Sequence, residues 1–285
     1  METPFPPFDP EGEANKPVVD GEDGEATGRL RDVPLRVIVP NFITLMAICS
    51  GLTAMRMAME GRFQMAILAV LFAAILDALD GRIARLLKST TRFGAQMDSL
   101  ADFVNFGVAP ALVLYAYVLN DAGSIGWIAA LIYAICGSLR LARFNVMLDD
   151  PNRPDWMADY FTGVPAPAGA MIVLLPIYVG FLGVDLSGDY SFLVAGYIIF
   201  VGLLMVSNLP TYAGKNATQR IPRQWVLPIM ILTVLCVAIL FSYPWKAMAA
   251  VSIGYILLLP IGRQAYQRAL RRDAAAVSSE KESGN

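Results

Sequence analysis

An all-α integral membrane protein of about eight transmembrane helices is the fold this sequence predicts, and three observations predict it. Hydrophobic residues fill 56% of the 285 positions and charged residues only 16%, with a mean hydropathy of +0.54. A soluble domain carries roughly 25% charged residues. Apolar segments of about 18–25 residues, long enough to cross a hydrocarbon core, recur along the chain. The basic residues are also sorted: of 22 Lys and Arg, only Arg56, Arg62 and Lys246 fall on one side of the spans. The positive-inside rule puts the opposite, basic side in the cytoplasm of a multi-pass cell (inner) membrane protein, with both termini.

The elements follow in order. Residues 1–28 hold eight acids (Glu2, Asp9, Glu11, Glu13, Asp20, Glu22, Asp23 and Glu25) against the single base Lys16. They lack the apolar core of a secretory leader and read as a disordered acidic tail. Residues 29–270 read as the transmembrane domain, with spans at 38–59, 63–87, 96–119, 124–146, 165–183, 190–209, 224–242 and 245–263. Tight turns near Gly61, Asp121, Gly188 and Pro244 alternate with richer connectors at 88–95, 147–164 and 210–223. Residues 271–285 form a polar C-terminal tail.

Some chemistries are excluded at once. The chain has no histidine, which removes imidazole catalysis, imidazole metal ligands and the Ser-His-Asp solution. Cys49, Cys136 and Cys236 are odd in number and widely spaced within apolar runs, so they match neither a disulfide framework nor a zinc site. No nucleic-acid partner is expected; the lipid bilayer is.

The chemistry concentrates in DALDGRIARLLKSTTRFGAQMDSLAD, residues 77–102. Asp77 and Asp80 are three apart, and Asp98 and Asp102 four apart, so on helices each pair shares a face, about 60° and 40° apart around the axis. Carboxylates at membrane depth are expensive and functional by default. Two such helices facing each other gather four oxygen donors, which a pair of hard divalent cations such as Mg²⁺ or Mn²⁺ neutralises. Gly81 and Gly94 remove side chains where a ligand would crowd the helices. Arg85 and the hydroxyls of Ser89, Thr90 and Thr91 suit a metal-bound diphosphate. Each also has an ordinary explanation: close packing for the glycines, interfacial anchoring for Arg85, a solvated loop for Thr91.

The spacing Asp-x2-Asp-Gly-x2-Ala-Arg-x8-Gly-x3-Asp-x3-Asp resembles the signature of the CDP-alcohol phosphatidyltransferase family at every fixed position. The resemblance implies a helical bundle of that family's type. It also implies that Asp77, Asp80 and Asp98 bind two divalent metals, with Asp102 contacting the second and acting as base for the attacking alcohol. Gly81, Arg85, Thr91 and Gly94 would then meet the CDP-linked donor. Asn41 and Thr44, opening the first span, look like the family's Asn-x2-Thr nucleotide contact, although a helix N-cap is the plain alternative. Asp98-Ser99-Leu100-Ala101-Asp102 with Phe106-Gly107-Val108-Ala109-Pro110-Ala111, Arg140-Leu141-Ala142-Arg143-Phe144-Asn145 and Phe161-Thr162-Gly163-Val164-Pro165-Ala166-Pro167-Ala168-Gly169 are similar to the serine-accepting subgroup. Asn105 stands where a Ser is often found. That subgroup's substrates are CDP-diacylglycerol and L-serine, and a homodimer is implied. Arg140 and Arg143, three apart, could hold the serine carboxylate or simply anchor a basic connector. Two other readings stay open: a sister enzyme accepting glycerol 3-phosphate, inositol phosphate or choline, and an ion-coupled carrier using the aspartates as a relay.

Overall fold

The computed structural model describes residues 35–148, 160–207, 210–212 and 223–259; both predicted tails lie outside them. Helix α1 (Leu35–Met59) turns through Gly61, at φ 74°, into α2 (Phe63–Leu86). So short a link makes the two helices antiparallel neighbours. Ala54 and Ala58 of α1 and Ala66, Val70 and Ala73 of α2 are buried. Small side chains let membrane helices approach closely, where lipid supplies no hydrophobic drive of its own.

The third span is α3 (Arg92–Asp102), a π-helical turn (Phe103–Val108) and α4 (Ala109–Tyr117) in unbroken succession. Pro110 explains the interruption, because it has no N–H to return to the Phe106 carbonyl one turn back. The buried Tyr133 hydroxyl donates to that carbonyl instead, at 3.0 Å. Tyr133 belongs to α5 (Gly123–Leu148), reached through a 3-10 turn at Leu119–Ala122. Gly137 of α5 seats against Gly107, where an added Cβ would lie 3.3 Å from the Gly107 Cα.

The expected fifth span is two short helices, α6 (Ala166–Val173) and α7 (Leu175–Phe181). The same physics recurs there. Pro176 cannot donate to the Ile172 carbonyl, which instead accepts a backbone N–H at the end of α6 and the Tyr197 hydroxyl from α8 (Tyr190–Val206) at 2.6 Å. Ser252 donates to the neighbouring Met171 carbonyl at 3.3 Å, from α10 (Pro244–Leu259). Between α8 and α10 lies α9 (Arg223–Ser242).

Five helices are long and apolar enough to cross a membrane: Ile38–Met59, Phe63–Leu86, Arg92–Tyr117, Leu119–Met147 and Gln224–Ser242. The apolar stretches Ala166–Phe181, Tyr190–Val206 and Pro244–Leu259 are shorter, so about eight full spans becomes five long helices and three short ones among the described residues. The helical expectation has one departure. Tyr160–Thr162 (β1) pairs antiparallel with Pro210–Tyr212 (β2), Phe161 opposite Thr211. Gly163 follows β1 at φ 82°, and a Cβ there would collide with the Met205 carbonyl oxygen, so only glycine turns this corner.

The core is centred on Phe106, Tyr133 and Tyr178, all fully buried, with Leu114, Ile172, Ile177, Ile198 and Met205 around them. At the end remote from the aspartates, Phe63, Tyr117, Phe181 and Trp245 meet in series, edge to face or tilted, at 4.9, 6.2 and 4.7 Å between ring centres. The outer surface is apolar, and α9 is exposed along its whole length from Gln224 to Ser242. An exposed helix that is hydrophobic all round has lipid as its solvent. The protein is an integral membrane protein.

Candidate active site

The turn between α2 and α3 decides whether the four aspartates meet. Helix α2 ends with Leu87 donating to Ile83 and Ser89 donating across to Ala84 at 3.0 Å, while Lys88 adopts the left-handed φ of 48°. That is a Schellman closure, with lysine where glycine is usual. Thr91 then caps α3, its hydroxyl oxygen accepting from the Gly94 N–H at 3.0 Å. The chain reverses between these caps, and α3 returns beside α2.

The result is a pocket of about 500 Å³. Pro40, Asn41 and Thr44 of α1 line it, with Asp77, Asp80, Gly81, Ala84 and Arg85 of α2. Ser89, Thr90 and Thr91 of the turn complete it, with Gly94, Ala95, Asp98 and Asp102 of α3. One carboxylate oxygen from each of Asp77, Asp80 and Asp98 lies within 4.8 Å of the others. Asp102 reaches the cluster through side-chain contact with Asp77. Like charges this close repel strongly in a low dielectric, so the array calls for bound cations. All its donors are carboxylate oxygens, which fits hard divalent ions.

All ten residues expected from α1 to α3 therefore share one cavity: Asn41, Thr44, Asp77, Asp80, Gly81, Arg85, Thr91, Gly94, Asp98 and Asp102. The two glycines separate. A Cβ at Gly94 would stand 3.0 Å from Asn41 Oδ1 and 3.1 Å from Thr91 Oγ1, so close packing of α1 on α3 explains it. A Cβ at Gly81 would meet nothing within 4 Å, which removes close packing as its reason.

The two arginines also separate. Neither lines the cavity. Arg140 is buried, its guanidinium 5.4 Å from the Phe144 ring centre, and its charge acts on Asp102. Arg143 turns away to donate to the Val206 carbonyl at 2.8 Å, near the C-terminus of α8.

Sequence reasoning missed two contacts. Thr44 Oγ1 lies 2.6 Å from Asp80 Oδ2. Asn145 donates to Ser99 Oγ at 3.0 Å, joining α5 to the helix that carries Asp98 and Asp102. Both pairs are far apart in sequence, and no spacing rule links them.

Known proteins share this arrangement of sequence. A family model described as CDP-alcohol phosphatidyltransferase matches residues 37–207, and one described as CDP-alcohol phosphatidyltransferase 2 matches residues 224–260. A CDP-diacylglycerol–serine O-phosphatidyltransferase of Mycobacterium tuberculosis is 40% identical, over 83% of this chain and 81% of its own. One from Helicobacter pylori is 37% identical over 79% of this chain and 90% of its own. An archaetidylserine synthase of Methanothermobacter thermautotrophicus is 33% identical over 64% of this chain and 73% of its own.

Proposed function

The chain belongs to the CDP-alcohol phosphatidyltransferase family, and from that membership we propose that it transfers the phosphatidyl group of CDP-diacylglycerol to the hydroxyl of L-serine, yielding phosphatidylserine and CMP. The relatives named for this reaction support the substrates. The observation that carries the chemistry is the gathering of Asp77, Asp80 and Asp98 beside Asp102, under a glycine that faces open space.

Asp77, Asp80 and Asp98, with Asp102 beside them, would hold two Mg²⁺ or Mn²⁺ ions. Such ions, when bound, neutralise a diphosphate and polarise the phosphorus under attack. Arg85, Thr91 and the first N–H groups of α3 face the diphosphate, a helix N-terminus being a ready anion site. Asn41, Gly81 and Gly94 shape the donor side, and Thr44 stands between them and the cluster, bonded to Asp80. Asp102 takes the serine hydroxyl proton as the serine oxygen bonds to phosphorus and the bond to the departing CMP oxygen breaks. No covalent enzyme intermediate is required.

Arg140, whose charge already acts on Asp102, holds the serine carboxylate in this reading. Arg143, proposed from the sequence as its partner in the serine pocket, is engaged with the Val206 carbonyl and would act there only through the packing of α5 on α8. The wider proposal is a catalytic domain over residues 29–270 between two polar tails, crossing the cell membrane eight times. Arg82, Arg85, Lys88, Arg92, Arg140 and Arg143 cluster at the site's end and support a cytoplasmic opening and cytoplasmic termini. A homodimer is part of the proposal on family resemblance.

Purified protein with CDP-diacylglycerol and radiolabelled serine should release CMP, stop on chelation and resume with Mn²⁺ or Mg²⁺. Asp102→Asn should lose turnover by about 100-fold or more while keeping bound metal. Preference for glycerol 3-phosphate or inositol phosphate, or full speed in chelator, would defeat the reading.

A further inference from the structure

We infer that Thr44 is a positioning residue for the metal centre, its hydroxyl restricting how Asp80 can rotate within the aspartate cluster. This rests on the metal-dependent reading above and deepens it. Thr44 and Asp80, both lining the pocket, are only 4% and 3% exposed. The Thr44 hydroxyl has one proton and two acceptors within reach: the Pro40 carbonyl at 3.1 Å and Asp80 Oδ2 at 2.6 Å. The shorter distance is that of a charge-assisted O–H···O⁻ bond, so the proton goes to the carboxylate.

The consequence is chemical. Thr44 holds Oδ2 of a carboxylate that has an oxygen within 4.8 Å of those of Asp77 and Asp98, so the bond restricts how Asp80 can rotate within the cluster. Partners of this kind orient metal ligands and typically change metal affinity 10–100-fold when removed. Thr44 sits on α1 and the carboxylates on α2 and α3, so the bond also ties the first helix to the cluster. A hydroxyl whose proton is held by Asp80 is not available to donate to a nucleotide, which distinguishes this role from a direct donor contact.

Thr44→Val keeps the shape and removes the hydroxyl; Thr44→Ser keeps the hydroxyl. Mn²⁺ binding to the purified full chain, without substrates, is measured by calorimetry, and the apparent KM for CDP-diacylglycerol at saturating Mn²⁺. The expected result is a Mn²⁺ Kd raised about 10-fold or more in Thr44→Val, near normal in Thr44→Ser, with KM at saturating metal little changed. An unchanged Mn²⁺ Kd in a folded Thr44→Val protein overturns the inference, and a raised KM in that protein assigns Thr44 to the nucleotide instead. Absence of Mn²⁺ binding by the unsubstituted protein overturns the metal reading beneath it, a distinct outcome.

Discussion

Gly81 shows what one residue can reveal about the purpose of a site. Glycine inside a helix is destabilising by roughly 0.5–1 kcal/mol relative to alanine, and here no neighbour within 4 Å requires it. The space above it belongs to whatever occupies the pocket. Gly81→Ala should therefore leave thermal stability in detergent equal or slightly higher, yet cut CMP release at least about 10-fold. Undiminished activity would make Gly81 incidental. The spacing of the aspartates was legible from the chain, because positions three and four apart share a helix face wherever the helix lies. The separate fates of Gly81 and Gly94 were not, since a missing side chain says nothing about its neighbours. Arg140 and Arg143 teach the same lesson: three apart on one helix, they meet different partners, the Phe144 ring and the Val206 carbonyl.

Among elements, the two proline breaks are the feature with consequences. Each removes a backbone donor from an interior carbonyl, and a tyrosine hydroxyl from another helix donates there: Tyr133 to Phe106, and Tyr197 to Ile172, which also accepts a backbone N–H at the end of α6. An unsatisfied buried carbonyl costs about 1–3 kcal/mol. Tyr133→Phe should lower stability by that amount, and Tyr197→Phe by less, because a backbone N–H still reaches the Ile172 carbonyl. Tyr115→Phe, which loses only an exposed bond to Asn120, should sit near zero and serves as the control. Equal effects from all three, measured by thermal unfolding in one detergent, would remove the argument. The π-helical turn begins immediately after Asp102, so Tyr133 holds the break next to the proposed base. Pro110 and Pro176 fall inside stretches that read as continuous spans, 96–119 and 165–183, and neither the breaks nor the groups that meet them are spelled out along the chain.

At the level of the whole molecule, lipid is the solvent that shapes the surface. Helix α9 is the extreme case, with a mean hydropathy of 2.6 and every residue from Gln224 to Ser242 exposed. Leu232→Ala in α9 should leave activity unchanged and stability within about 0.5 kcal/mol. Leu232→Arg should oppose insertion by about 2.5–3.5 kcal/mol, seen as a smaller membrane-inserted fraction after expression. Tolerance of the arginine would mean that α9 lies against protein or water.

The sequence by itself determined that this chain enters a membrane, roughly where its long helices run, and which helix faces carry the carboxylates. Those properties follow from the apolar length of each segment and from helical periodicity, both local. Only the tertiary structure decided that three carboxylates stand within 4.8 Å, that Thr44 engages Asp80, and that a short strand pair interrupts the helices. Such meetings depend on how separate helices cross and where prolines break them, and the spacing of residues along one chain does not encode distances between two helices.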